Sequence, residues 1–435
     1  MKKRVLVAGL VFALCPTMAT PQSQPARERT ASVLVKAAKV LDVRKGSYLV
    51  DGAIWIEGER IKEVGPAAEV RGHAPMSTRV IDLGGATILP GLIDCHTHLM
   101  ARFAAVEDGY LLGLATKSQA FRALEGAADA RVTLYAGFTT VRDVENEGSG
   151  YADVALRDAI EQGLVEGPRM QVATRAIAAV GQYNPFGVSP DLTDFPTGAQ
   201  MVSGVEEARR AVREQIGHGA DLIKLYADWQ RPTLTLDEMR VVVEEAHKQR
   251  LKVAAHATTP EGIKNAVTAG VDSIEHGHRA DREALEMIKA KGVFLVPTVA
   301  GTDETLRRRN TFTPEQQKSF DAFLKGTEQE VRQAMALGIK IASGFDASSV
   351  DRQGRNAEEL VALNRRGMPP LEAIRTATVN AAELLGWQDR IGAVEGGKYA
   401  DLIAVEGDPL ADITVLLQVK FVMKSGTIAK DVLAH

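Results

Sequence analysis

The stretch TILPGLIDCHTH, residues 87–98, joins an apolar run to two closely spaced histidines. The run predicts a buried strand over residues 87–93, and the histidines follow where that strand ends. Alternate residues of a strand point to the same face, so His96 and His98 can bind one metal ion, while Cys95 points toward a helix layer. Two histidines at this spacing also occur by chance and in solvated loops, so this pair alone does not establish a metal site.

Beyond these histidines, short apolar strands alternate with stretches of helical length, which is typical of a parallel sheet with crossover helices. Helix starts are marked by capping boxes at Thr235 and Thr313 and by Pro260 and Pro314. Seven further strands are predicted, at residues 139–142, 170–173, 222–226, 252–255, 273–275, 294–297 and 340–342. Eight strand–helix units in about 300 residues predict an α/β fold with a (β/α)8 TIM barrel.

Both ends of the chain have a different sequence pattern, in which short segments of alternating apolar and polar residues are separated by turns at glycine. This pattern covers residues 53–61 and returns at residues 401–405 and 419–426. The two ends are therefore expected to share one small β-sandwich domain, formed by residues 31–88 and 397–435. The barrel is then expected over residues 89–396.

The first twenty residues resemble a secretory signal peptide, because a basic start is followed by the apolar run of residues 5–14. The predicted location is therefore exported, either periplasmic or secreted. A buried core helix is the alternative, although no helix cap accompanies the run. Cys15 raises the further alternative of lipid modification, against which the bulky Leu14 argues. After removal of residues 1–20, Cys95 would be the only cysteine, so no internal disulfide is expected.

The composition excludes several classes of partner. The chain has 435 residues, 45% of them hydrophobic and 25% charged, with a formal net charge of −4. Nothing in this balance indicates a nucleic acid or an anionic membrane. No other apolar run approaches the roughly 20 residues that a membrane span requires, so stable membrane insertion is not expected. A small-molecule substrate is the expected partner.

Other ionisable residues stand where predicted barrel strands end. His256 and His276 follow two of the strands, and Asp346 follows the last one. The carboxyl ends of barrel strands converge on one face, where barrel enzymes keep their active sites. The chain has only nine histidines, so four at such positions are unlikely to be accidental.

Lys224 is the most informative residue, because alternation in residues 222–226 places it on the same face as Leu222 and Tyr226. It would then point into the barrel mouth, where burial favours the neutral amine. A neutral lysine reacts with carbon dioxide to give a carbamate, whose two oxygens can bridge two cations. The alternatives are a lysine that reaches solvent or pairs with an acid.

These residues carry a resemblance to a known family. His96-x-His98, Lys224, His256, His276 and Asp346 are similar, in order and position, to the two-metal pattern of the amidohydrolase superfamily. The branch it most resembles is the imidazolonepropionase-like one, with its zinc carboxypeptidases and prolidases, and it is also similar to bacterial ochratoxin-degrading amidohydrolases. Supporting motifs are found at residues 88–94, 139–143, 274–277, 378–382 and 397–402.

The resemblance implies two divalent metal ions, zinc being the first choice. His96, His98 and Asp346 would bind one ion, His256 and His276 the other, and carbamylated Lys224 would bridge them. The implied activity is hydrolysis of a C–N amide bond in an N-acyl amino acid or dipeptide-like substrate by a metal-bridging hydroxide, with Asp346 carrying the proton. A homo-oligomer is expected.

Substrate contacts are less clearly indicated. Tyr226 and His278 are candidates, with packing and a solvated loop as the respective alternatives. Residues 180–187 lack the histidine that peptidase-like relatives often carry there, and Tyr183 and Phe186 instead suit a bulky or aromatic acyl group. Arg142 is expected to pair with a nearby acid rather than with substrate.

Two kinds of alternative function remain at this point. The same metals can serve a cyclic amidase of the imidazolone or hydantoin type, or a phosphotriester hydrolase, because function depends on the loops. A binding or scaffold protein that had lost its chemistry would show decayed ligands, whereas all six are present.

Overall fold

The computed structural model describes residues 32–104, 109–181, 183, 191–192, 195–229, 231–307 and 309–433. The predicted signal peptide, with Cys15, lies outside the described residues, and so does Phe186. No described helix is both long and apolar enough to cross a membrane.

Strands and helices alternate through the middle of the chain. The strands are β1 (Ser32–Asp42), β2 (Ser47–Glu57), β3 (Arg60–Pro66), β4 (Arg79–Asp82), β5 (Thr87–Pro90), β6 (Leu92–Thr97), β7 (Phe138–Asp143), β8 (Arg169–Val172), β9 (Ala176–Ala179), β10 (Ala199–Val202), β11 (Leu222–Tyr226), β12 (Lys252–Ala257), β13 (Ser273–His276), β14 (Phe294–Val296), β15 (Leu402–Val405), β16 (Phe421–Lys424) and β17 (Thr427–Asp431). The helices are α1 (Ala67–His73), α2 (Gly109–Thr116), α3 (Gln119–Tyr135), α4 (Ala152–Glu161), α5 (Val205–Gly217), α6 (Leu236–Lys248), α7 (Pro260–Ala269), α8 (Arg282–Lys291), α9 (Ala300–Arg307), α10 (Pro314–Leu337), α11 (Glu358–Arg365), α12 (Pro370–Thr376) and α13 (Val379–Leu385).

Both chain ends meet in one eight-stranded sheet, with the order β17-β16-β15-β5-β1-β2-β3 and β4 paired with β1. Strand β5 joins the two ends, because it pairs in parallel with β1 and antiparallel with β15. Buried side chains from both ends, including Ile54, Ile88, Leu402 and Phe421, form a shared apolar core. The predicted association of the chain ends is thus observed, while their arrangement as a two-layered sandwich stays a prediction.

The run over residues 87–93 was predicted as one strand, but it forms two strands in different sheets. Pro90 ends β5, and the backbone N–H of Gly91 donates to the carbonyl of Asp401. The backbone N–H of the next residue, Leu92, donates to the carbonyl of Gly137, just before β7 of a separate parallel sheet. A side chain at position 91 would place its Cβ 2.2 Å from Oγ1 of Thr139, so only glycine allows this close crossing.

The central strands run parallel, in a three-stranded sheet (β6-β7-β8) and a six-stranded sheet (β10-β9-β11-β12-β13-β14). The third predicted strand, residues 170–173, corresponds to β8, which pairs with β7. Strand β9 was not predicted, and it pairs with β11 after a turn in which Thr174 has φ 61°. Residues 340–342, predicted as a strand, make an isolated bridge from Ile341 to Leu295. The adjacent carbonyl of Ser343 accepts from the N–H of Cys95 in β6.

The predicted helix starts agree with the structure. Thr235 and Thr313 both form capping boxes, and Pro260 and Pro314 each lie in a first helical turn. Alternation of such helices with parallel strands confirms an α/β fold, and the apolar faces of the helices pack against the strands in the largest core.

Candidate active site

Five of the six predicted ligands, all but Asp346, lie in or directly after strands of the parallel sheets. His96 belongs to β6 and His98 follows it, while Lys224, His256 and His276 belong to β11, β12 and β13. Asp346 follows residues 340–343, and its backbone N–H donates to the carbonyl of His96. His276 and Asp346 have positive φ values of 72° and 56°, a strained conformation of the kind that collects at functional sites.

Contacts connect these side chains into one cluster. Among the described residues, ligand atoms of His96, His276 and Asp346 lie within 4.8 Å of one another. Nε2 of His98 is 3.4 Å from Oδ1 of Asp346, and the rings of His256 and His276 are 4.5 Å apart between centroids. The tightest trio therefore combines His96 and Asp346 from one predicted metal position with His276 from the other.

Burial and charge set the protonation of the cluster. Burial, assisted by Lys224, lowers the pKa of His96 to about 4 and that of His256 well below its usual value. Burial would raise the pKa of Asp346, but His96 and His98 outweigh it and hold that pKa well below the usual range. Neutral imidazoles beside an ionised carboxylate are the donor set that zinc and similar divalent cations prefer, so these residues fit a metal.

His98 differs from the other histidines. Burial would lower its pKa, but Glu147 and Asp346 raise it to about 10. Because a metal binds the neutral imidazole, binding at His98 has to displace a proton.

Lys224 lies in the middle of β11 and has a relative exposure of 1%. Burial lowers the pKa of its amine, although Glu275 and Glu145 oppose the shift. No residue that the structure describes forms an ion pair or hydrogen bond with its Nζ, which is 5.8 Å from the centre of the Tyr226 ring. The lysine is therefore neither at the surface nor held by a direct acidic partner.

Carboxylates behind His96 and His98 orient both rings. Oε2 of Glu275 is 2.8 Å from Nδ1 of His96, and Oε1 of Glu147 is 3.1 Å from Nδ1 of His98. A carboxylate on Nδ1 leaves Nε2 as the atom that can bind a metal. In both histidines this Nε2 atom faces Asp346, at 3.9 Å and 3.4 Å.

Arg142 pairs with an acid, as predicted, and holds the carboxylate behind His96. Its guanidinium donates to Oε1 of Glu275 at 2.7 Å, to Oγ of Ser273 and to the carbonyl of Cys95. Cys95 is buried in a cluster with residues of α13, such as Ala381, on the helix side as expected.

We expect Glu147→Gln to weaken metal binding by about 10- to 100-fold, because the amide keeps the shape of the side chain but removes the charge facing His98. Glu147 suits this test better than Glu275, whose loss would leave Arg142 buried without its acid. Metal retained against increasing chelator, measured by elemental analysis, reports the change. Glu286→Gln, at an exposed pair with Arg282, is the control. Equal metal retention in the unmodified protein, Glu147→Gln and Glu286→Gln would contradict the role of Glu147 in metal binding.

Glu145 and Trp229 were not predicted from the sequence, and with Tyr183 and Tyr226 they form an acidic and aromatic wall beside the metal ligands. Glu145 is fully buried and accepts hydrogen bonds of 2.5 Å from the hydroxyls of both Tyr183 and Tyr226. The ring of Trp229 stacks on His256 at 5.0 Å. Glu145 follows β7 by two residues, so the strand-end rule that located His256 applies to it as well. Tyr226, a predicted substrate contact, therefore already donates its hydroxyl hydrogen bond to Glu145.

Comparison with known proteins places these features in a family. The model of the amidohydrolase family matches residues 87–429. The ochratoxinase of Aspergillus niger is 32% identical, over 90% of this chain and 85% of the relative. The imidazolonepropionase of Symbiobacterium thermophilum is 26% identical, over 83% of this chain and 85% of the relative.

A solved structure agrees with the same assignment. A prolidase complexed with N-methylphosphonate-L-proline is 31% identical and superimposes with a TM-score of 0.80, covering 92% of this chain and all of that one (100%). The similarity extends over both the parallel strands that carry the clustered histidines and the sheet that joins the chain ends. On the family match and these relatives, the chain belongs to the amidohydrolase family.

Proposed function

We propose that this chain hydrolyses the C–N amide bond of N-acyl amino acids or dipeptide-like small molecules, including aromatic amides of the ochratoxin type. The observation that carries the proposal is the convergence of four histidines and Asp346 on one cluster, with Lys224 near enough to lower the pKa of His96 and His256. Relatives named as an ochratoxinase and a prolidase support an amide or peptide-like bond as the target.

In this proposal the cluster holds two divalent cations, with zinc as the first choice. His96, His98, His256, His276 and Asp346 would supply ligands, and Lys224, as a carbamate, would add two further oxygens. When bound, such cations lower the pKa of a water molecule and polarise the substrate carbonyl. The lowered pKa values of His96 and of the buried Lys224 amine support this set.

Asp346 is the group that moves the proton. Its carboxylate, kept ionised by His96 and His98, accepts a proton from the attacking water. The same low pKa makes the protonated side chain a ready donor to the leaving amine. The buried partners Glu275 and Glu147 keep the rings facing Asp346 in place during this exchange.

We also propose a domain arrangement, a cellular location and an oligomeric state for the chain. We place the closed (β/α)8 barrel over residues 89–396, with residues 31–88 and 397–435 as the sandwich. Support for closure comes from the contacts of residues 340–343 with both β14 and β6. Export of the protein after cleavage of residues 1–20, and assembly as a homo-oligomer, are part of the same proposal.

A substrate panel tests the proposed function. Purified metal-loaded protein is assayed with an N-acyl amino acid, a dipeptide, a ring amide and a phosphotriester. Preferential cleavage of the first two is expected. The 26% identical imidazolonepropionase makes a cyclic amide the second candidate, and faster turnover of the ring amide would favour it.

A free carboxylate beside the scissile amide is expected to raise kcat/KM. Capping it as an ester or amide removes its charge and leaves its partner in the site unpaired, which costs roughly 1 to 3 kcal/mol. The ratio kcat/KM should then fall about 5- to 150-fold. Rates are compared for an N-acyl amino acid and its methyl ester, with released amine as the readout. Equal rates on both forms would argue for the ring-amide or phosphotriester alternatives.

A further inference from the structure

Helix α10 is long for its place in the fold. It has 24 residues, whereas α6 has 13, so it extends about 36 Å against about 20 Å. Its buried residues are Thr327, Glu330, Val331 and Ala334, all in the second half. The helix ends at Gly338, just before residues 340–343. Because such a helix runs antiparallel to the strands, its first half extends beyond their carboxyl ends, where the metal ligands lie.

A chain of ring contacts joins this first half of α10 to the ligand cluster. The rings of Phe323 and His278 meet edge to face at 5.4 Å, and those of His278 and His276 meet in the same way at 5.5 Å. Nε2 of His278 is 2.8 Å from the carbonyl of Pro297. A carbonyl only accepts, so Nε2 carries the proton and the ring is held in one orientation. Both His278 and Phe323 remain partly exposed.

The two sides of the ligand cluster are chemically different. The side toward His256 carries the tyrosine hydroxyls around Glu145, whereas the side toward His276 presents the rings of His278 and Phe323. An apolar group of a substrate loses least by lying on the second side, where it displaces water from the ring faces of Phe323 and His278 rather than from the hydroxyls and carboxylate around Glu145.

We propose that Phe323 and His278 form an apolar wall that selects substrates carrying an aromatic group next to the scissile amide. This inference rests on the proposed amide hydrolysis at the same site. Phe323 acts as a specificity-determining residue, supplied by the part of α10 that extends past the strands. A substrate ring lies against the faces that Phe323 and His278 leave exposed.

Helix α10 also contains a matched control. Phe320 lies one turn before Phe323 and is similarly half-buried, but its ring contacts Phe312, at 5.9 Å. Phe320→Ala therefore removes the same side chain from the same helix without touching His278. Phe323→Leu keeps apolar volume and removes only the ring.

Three substrates separate a wall from a merely structural role: N-acetylglycine, N-acetylphenylalanine and N-benzoylglycine. Phe323→Ala is expected to lower kcat/KM for at least one of the two ring substrates about tenfold more than for N-acetylglycine, with Phe323→Leu in between. Phe320→Ala should change all three alike. Equal losses on the three substrates in Phe323→Ala, or the same pattern in Phe320→Ala, would overturn the proposal.

Equilibrium binding keeps this test independent of turnover. Calorimetry on the metal-loaded protein compares phenylalanine and benzoate with glycine. The wall predicts tighter binding of at least one ring compound, and loss of that preference in Phe323→Ala only. If no substrate is cleaved but a ring compound still binds more tightly than glycine, the proposed amide hydrolysis is wrong, whereas the apolar wall is supported. If rings bind no better than glycine, the wall is overturned.

Discussion

Replacement of Asp346 by asparagine is expected to lower turnover by about 10²- to 10⁴-fold, because an amide cannot accept the proton of the attacking water. Most of the metal should remain, since four histidines are unchanged and an amide oxygen can still approach a cation. The backbone should also be preserved: Asp346 has φ 56°, and asparagine is one of the few residues that adopts this region readily.

Asp51 offers a close control for this substitution. It has φ 50°, is exposed, and lies in β2, far along the chain from the ligand cluster. Asp51→Asn therefore makes the same chemical change in the same backbone conformation and should leave turnover unaltered. Turnover and metal content are measured on both variants at saturating substrate. Near-normal turnover in Asp346→Asn would assign the proton transfer to another residue.

Loss of the Lys224 side chain is expected to remove most activity and one metal equivalent. The amine is fully buried, and its lowered pKa favours the neutral form that combines with carbon dioxide, giving a carbamate and releasing one proton. Lys224→Ala removes the two oxygens of that carbamate and leaves a space beside Tyr226. Metal content and turnover are measured together on protein prepared with excess zinc.

Chemical rescue distinguishes a bridging carbamate from simple damage to the core. A short acid such as acetate or propionate fits the space left in Lys224→Ala and supplies two carboxylate oxygens, so part of the rate should return with metal present. Lys252→Ala, in the neighbouring strand β12, should neither lose a metal nor respond to acetate. Full activity of Lys224→Ala with both metals retained would reduce Lys224 to an ordinary barrel lysine.

Local sequence was sufficient to locate most of the ligand-bearing strands. Strand β11 was predicted over the same residues that form it, because alternation of large apolar residues around Lys224 is a short-range signal. The capping boxes at Thr235 and Thr313 were predicted for the same reason: their partners lie three residues away. Proline and glycine at 90 and 91 were visible too, but the change of sheet there was not predicted.

Long-range contacts could not be predicted in this way. The partner of His96, Glu275, lies 179 residues away along the chain, and nothing in the local pattern distinguishes it from other strand-end acids. The wall that Glu145 forms with two tyrosines, and the approach of Phe323 to His278, likewise depend on how separate loops and helices pack. Strand β9, which follows Thr174 and was not predicted, is likewise defined by its pairing with β10 and β11.

The sequence by itself determined the type of most central elements and the order of the ligand residues along them, since these depend on spacings of two to four residues. Only the tertiary structure decided which acid orients which histidine, which nitrogen is left to face Asp346, and which side of the cluster is acidic. Those choices depend on the packing of elements far apart in the chain, where a shift of an ångström makes or breaks a hydrogen bond.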